Sequence, residues 1–118
     1  MKPLGINRSN TILYCDRWEE TVSFYRDVVK LPVLTGKSWF VEFQLTPGAC
    51  LSVAAAAHAS IASAGGAGVT LSWRVENVDA VRNRLMAGGI EVTPLRTIWG
   101  ARSCFLFDPE GNRIELWS

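Results

Sequence analysis

Phe105-Leu106-Phe107-Asp108-Pro109-Glu110-Gly111-Asn112-Arg113-Ile114-Glu115-Leu116 is two extended runs joined by a tight turn. Pro109 presets the turn backbone and Gly111 relieves its strain, so the chain reverses over Asp108 to Gly111 and resumes as a strand from Asn112 to Trp117. Side chains alternate along a strand, which puts Glu115 on one face and Ile114 and Leu116 on the other. Reading back from the turn, Arg102 to Phe107 is a longer strand and Ile90 to Val92 a short one. Before them lies a helix with Val78, Val81 and Leu85 on one face, Asn77 as its cap and Gly88-Gly89 as its stop. Val69 to Val75 is a further strand, so the order is β-α-β-β-β.

The first half of the chain repeats this order. Asn10 to Cys15 is a strand, Asp16 is placed to cap a helix, and Trp18, Val22, Tyr25 and Val29 keep to one helical face until Pro32. An extended piece at Val33-Leu34, a run from Trp39 to Leu45, a turn at Thr46-Pro47-Gly48 and a run from Ala49 to Ala54 complete it. Gly48 and Gly111 lie 63 residues apart, and the same offset sets Leu51-Ser52-Val53 against Ile114-Glu115-Leu116. The expected organisation is a module at 7–57, a linker at 58–67 and a module at 68–118. The linker is almost all Ala, Ser and Gly, read either as open chain or as a turn of helix that its glycines stop. Its His58 reads as a solvated loop residue. Each module, at about 55 residues, is too small to bury a large core by itself.

The whole chain is 118 residues with 12 Lys+Arg, 11 Asp+Glu and a net charge of +1. That balance carries no electrostatic footprint for a phosphate backbone and argues against nucleic acid as a partner. No apolar run approaches the roughly 18 residues that span a bilayer, and the N-terminus lacks a signal-peptide core, which predicts no membrane association and a cytoplasmic location. Cys15, Cys50 and Cys104 are odd in number and flanked by strand-like residues, the pattern of buried reduced thiols.

The duplicated order, the Phe24-Tyr25 pair and above all the Asp108-Pro109-Glu110-Gly111-Asn112-Arg113-Ile114-Glu115-Leu116 segment resemble the vicinal oxygen chelate superfamily. That superfamily includes glyoxalase I, bleomycin-resistance proteins and extradiol dioxygenases. The resemblance covers essentially the whole chain and implies an α+β fold, with two βαβββ modules forming a curved, mostly antiparallel sheet and helices on its outer face. In metal-dependent members the glutamate of the last strand is a metal ligand, with partners on the first strand of each module and the last strand of the first module. Carried over one at a time, those positions fall on Asn10, Ser52 and Thr70, and only Glu115 keeps a ligand of the usual kind. One carboxylate with an amide and two hydroxyls is a poor set for zinc, nickel or iron, although an all-oxygen set holds a hard cation weakly. No cofactor or tightly held transition metal is expected.

With Glu115 facing inward, alternation brings Arg113 and Trp117 to the same side, with Thr70, Ser72 and Arg74 beside them. Asn10, Ile12 and Tyr14, then Cys50, Ser52 and Ala54, follow in the first module. Leu13, Leu51, Val53, Leu71, Trp73, Val75, Ile114 and Leu116 form the opposite, helix-facing set. Trp18 and Trp73 are assigned to the core, while Trp39, Trp99 and Trp117 are left for the inner face. Glu42 either reaches that face or lies at an edge. The candidate ligand-binding residues are therefore Asn10, Ile12, Tyr14, Ser52, Thr70, Arg74, Arg113, Glu115 and Trp117, with a water-exposed polar sheet face as the competing reading.

Two functions remain open. One is a metal-free protein that captures a planar or aromatic polar small molecule, as bleomycin-type resistance proteins do. The other is a lyase, isomerase or dioxygenase-like enzyme of the same superfamily that uses Glu115 as metal ligand or general base. An orphan domain that chiefly dimerises is a third. Open sheet edges on modules of this size predict a homodimer. Light scattering at micromolar concentration is expected to return the dimer mass, and a 13.0 kDa monomer would reject it.

Overall fold

The computed structural model describes residues 2–118. The chain forms two compact units, Met1–Ala64 and Gly65–Ser118, each a four-stranded mixed sheet with one helix.

In the first unit β1 (Ser9–Cys15) leads to α1 (Trp18–Ser23), followed by β2 (Val33–Gly36), β3 (Phe40–Thr46) and β4 (Ala49–Ala55). The sheet order is β1-β4-β3-β2, with β1 and β4 parallel and the other pairs antiparallel. Helix α1 runs on into a single π-type turn over Phe24–Val28, closed by Val29 N–H donating to the Phe24 carbonyl at 3.0 Å. Thr21, Val22, Phe24 and Tyr25 are all buried, so the helix turns one broad face to the sheet. Their rings meet edge to face at 5.2 Å, and Tyr25 reaches Phe43 on β3 at 6.1 Å. The residue at the N-cap position of α1 is Arg17, not Asp16, and it makes no side-chain capping bond.

The second unit repeats the plan with β5 (Thr70–Arg74), α2 (Val78–Ala87), β6 (Arg96–Ile98), β7 (Ala101–Phe107) and β8 (Arg113–Trp117), in the order β5-β8-β7-β6. Asn77 caps α2 as its sequence indicated, its side chain accepting from the Ala80 N–H at 3.1 Å. Arg102 on β7 grips Asp79 on α2 through two bonds of 3.1 and 2.7 Å, which seats the helix on the Arg102, Cys104 and Leu106 face of the sheet. The guanidinium also holds the Asp79 carboxyl below its ordinary range, chiefly through that hydrogen bond.

Ile90 to Val92 does not form a strand. The Ile90 N–H still closes the end of α2 by donating to the Leu85 carbonyl, and Pro94 lacks the N–H a ladder needs, so the edge strand starts only at Arg96. The two units share one register. Asn10 faces Cys50 as Thr70 faces Arg113, and Glu42 faces Ser52 as Phe105 faces Glu115. The 63-residue offset therefore holds across β3, β4, β7 and β8. Leu13, Leu51, Val53, Leu71, Ile114 and Leu116 are all buried, while Trp73 and Val75 are only partly so. Among the described residues no helix is long and apolar enough to cross a membrane.

The turn between β7 and β8 is fixed by Asp108. Its buried carboxylate accepts from the Glu110 and Asn112 backbone N–H groups, both at 2.9 Å, and from Asn112 Nδ2 at 2.8 Å. Gly111 has φ +100°, and a Cβ there would lie 2.6 Å from the Gly65 carbonyl oxygen. A Cβ on Gly66 would lie 2.1 Å from the Gly111 oxygen. The end of the expected open linker is thus laid against the turn, backbone on backbone, while Ala56–His58 near its start forms a short 3-10 turn. Gly111→Ala is expected to cost about 2–4 kcal/mol in urea unfolding, combining left-handed strain with a backbone clash. Gly36→Ala, with open space around it and an ordinary φ, should cost less than about 1 kcal/mol. Equal losses would show that the glycine contact does not hold the turn.

Candidate functional site

In each unit the face turned away from the helix carries the polar residues, and the shared register makes the two faces comparable position by position. In the first unit Ser52 Oγ donates to Asn10 Oδ1 at 2.8 Å, and Asn10 Nδ2 donates to Glu42 Oε2 at 3.3 Å. Glu42 therefore belongs to this face, on a side chain only 15% exposed, and not to an edge. Arg8, just before β1, closes the cluster by donating from Nη2 to Glu42 Oε2 at 3.0 Å and to Cys50 Sγ at 3.1 Å. The Arg8 guanidinium is pushed above its ordinary value first by the Cys50 sulfur, then by the Glu42 charge. Strand β4 is buried on both faces from Cys50 to Ala54, and Ser52 is fully buried. Ile12 is exposed and Tyr14 half-buried on the same side.

The second unit places Thr70, Ser72 and Arg74 of β5 directly opposite Arg113, Glu115 and Trp117 of β8. On the other side of β8, Phe107, Phe105 and Ser103 of β7 face the same three residues. Ser72 Oγ donates to Glu115 Oε1 at 2.5 Å, and Arg113 Nε donates to Thr70 Oγ1 at 2.9 Å. The arginines lie on rings and not on Glu115: Arg113 Cζ is 4.7 Å from the Phe105 centroid, and Arg74 Cζ 5.5 Å from that of Trp117. Among the described residues neither guanidinium is ion-paired, whereas Arg8, Arg17, Arg26 and Arg102 all are.

Thr70, Arg74, Arg113, Glu115 and Trp117 thus share one face of one sheet, while Asn10, Ile12, Tyr14 and Ser52 share the register-equivalent face of the other. Phe105, Phe107 and Ser103 were missed, although alternation along β7 against buried Cys104 and Leu106 marks them. Arg8 was also missed, and no periodicity reveals it because it precedes the strand. Trp99 does not join either face. It sits at the β6–β7 turn, fully exposed and with φ +53°. Trp39 packs near Phe40 and Lys37 at the β2–β3 turn.

The family model described as Glyoxalase/Bleomycin resistance protein/Dioxygenase superfamily matches residues 6–116. The chain belongs to that superfamily. Among solved structures it is similar to lactoylglutathione lyase from Agrobacterium tumefaciens, with 24% identity, a TM-score of 0.79, and 98% of this chain and 95% of that one covered. A glyoxalase/bleomycin resistance protein/dioxygenase from Nocardioides has 22% identity and a TM-score of 0.81, covering 99% and 84%. TnmS3, an antibiotic binding protein from Streptomyces sp. CB03234, has 20% identity and a TM-score of 0.77, covering 98% and 96%. At these identities the likeness is one of fold. No curated protein matches the chain.

Members of the superfamily that use a metal need several converging anionic or imidazole donors. Here the corresponding positions are already engaged: Ser52 with Asn10, Thr70 with Arg113, and Glu115 with Ser72. Among the described residues no three His, Cys, Asp or Glu side chains come together. On each face one carboxylate, Glu42 in the first unit and Glu115 in the second, stands among neutral oxygens, a donor set that does not fit a transition-metal ion.

The Arg8 contact makes a prediction about thiols. Cys15, Cys50 and Cys104 are all buried, and burial pushes the Cys104 thiol above its ordinary value. Arg8→Ala should uncover Cys50 alone, raising the reaction of one thiol with a disulfide reagent by about tenfold or more under native conditions. No change in rate would show that Arg8 does not shield it.

Proposed function

We propose that the protein is a small-molecule-binding member of its superfamily and takes a planar, aromatic, anionic ligand on the second unit's sheet, without a transition metal. The observation that carries this reading is the pair of arginines with no acidic partner among the described residues, Arg74 and Arg113, each lying over an aromatic ring on the face that holds Glu115. A guanidinium over a ring keeps N–H groups at its edge for a carboxylate, in Arg113 the Nη groups since Nε is bonded to Thr70, and the flanking aromatics offer stacking surface to a ring. Glu115, bonded to Ser72, supplies an acceptor for a donor group on the ligand. The alternative of a lyase, isomerase or dioxygenase-like enzyme requires Glu115 to act as a metal ligand or base, and among the described residues no group of three His, Cys, Asp or Glu side chains forms around it to hold a metal.

The test is tryptophan fluorescence titration with a panel of planar aromatic carboxylates, on protein dialysed against a chelator. Binding should survive the chelator, quench Trp117, and weaken by about 1 kcal/mol or more in Arg74→Ala and in Trp117→Ala, the ordinary worth of a charged hydrogen bond or an aromatic contact. If both variants stay within about 0.5 kcal/mol of the unaltered protein, the ligand binds elsewhere. If binding requires an added metal ion, the metal-free reading fails.

A further inference from the structure

Strand β6 extends the polar face of the second unit by one more cation. Arg96 stands opposite Ser103, Ser103 opposite Trp117 and Trp117 opposite Arg74, so these four side chains make one row across all four strands, with an arginine at each end. Arg96 is exposed on its edge strand and, like Arg74 and Arg113, has no ion pair among the described residues. Neither alternation along β8 nor the 63-residue offset marks it.

Charge on this face does not balance. Its strands bring Arg74, Arg96 and Arg113 to it against the single carboxylate of Glu115, which leaves two positive charges over. The Asp108 carboxylate beyond the end of β7 is buried and already met by three N–H donors of its turn. Like charges gathered on one face repel, and each guanidinium keeps N–H groups without an anionic partner, so an arriving anion relieves both costs. A ligand with one negative charge leaves the face positive; a ligand with two neutralises it. The cations also stand apart, at the two ends of one row and at the start of β8, an arrangement that suits two acid groups on one body better than one doubly charged group. Resting on the binding reading above, we infer that the ligand is a planar aromatic molecule bearing two separate acid groups, and that Arg96 receives the second of them. The first is held by the arginines that lie over Trp117 and Phe105.

Isothermal titration tests this with terephthalate and biphenyl dicarboxylate, each set against its own monomethyl ester, which keeps the ring and loses one charge. The unaltered protein should bind at least one diacid about tenfold or more tighter than its ester, the worth of one charged hydrogen bond. Arg96→Gln should cut that preference to about threefold or less while the affinity of the ester stays within about twofold. Arg84→Gln removes the same charge from α2, on the other side of the sheet, and should leave the preference intact. Esters that bind as tightly as their diacids, a preference that survives Arg96→Gln, or one that Arg84→Gln lowers equally overturns this inference alone. Phenyl phosphate bound tighter than either diacid overturns the assignment of two separate acid groups. Failure of every probe to bind the unaltered protein overturns the binding reading, and this inference with it.

Discussion

The buried Asp108 carboxylate holds the second unit in register. A charge taken out of water has to be met by donors, and the turn supplies them from two backbone N–H groups and the Asn112 side chain. Charge-assisted bonds of this kind contribute a net of about 1.5–3 kcal/mol each. Gly111 completes the turn by adopting a left-handed backbone and letting Gly65 and Gly66 approach at a distance no side chain permits. With the turn fixed, Phe107 must face Arg113, Phe105 must face Glu115 and Ser103 must face Trp117. A slip of one residue would send Ile114 and Leu116 to the polar side and Glu115 into the core. The chemistry of the face is therefore a consequence of the turn.

The same frame carries opposite electrostatics in the two units. In the first, Arg8 neutralises Glu42 and the remaining polar atoms of Asn10 and Ser52 satisfy each other, so the face is closed on itself. In the second, Arg74 and Arg113 rest on rings, and the only carboxylate in the grid bonds a neutral hydroxyl. Cation–π contacts at partly exposed sites contribute about 0.5–1 kcal/mol, too little to compete with a well-placed anion. The second face is the one whose arginines have no acidic partner among the described residues, so the repeat of backbone register did not bring a repeat of side-chain pairing.

Much of this fold was legible because its signals are local and periodic. The Asp-Pro-x-Gly-Asn turn, the alternation in β8 and the 63-residue offset located both units and put Thr70, Arg74, Arg113, Glu115 and Trp117 together. What escaped depended on contacts that no period encodes. The helix ends in a π-type turn over Phe24–Val28 that no residue pattern announces, and Arg8 reaches back over Glu42 from outside any strand. Ile90 to Val92 has strand-like residues, but the end of α2 and Pro94 occupy its backbone. Trp99 looked like ligand-binding surface by composition, yet it lies at a hairpin turn beside Gly100, where its side chain has no face to join. The glycine-rich segment looked like open chain because the use of Gly65 and Gly66, a close approach to Gly111, exists only once the turn is built.

The central claim is that the Arg113, Glu115 and Trp117 face takes an aromatic anion. Its most direct measurement is the nitrogen-15 NMR spectrum of the side-chain indole and guanidinium N–H groups during titration with an aromatic carboxylate. The account predicts saturable shifts at Trp117 and Arg113 together, with the indole signals of Trp18 and Trp99 unmoved. Saturable shifts confined to other tryptophans, or shifts at Trp117 that leave Arg113 untouched, would contradict it.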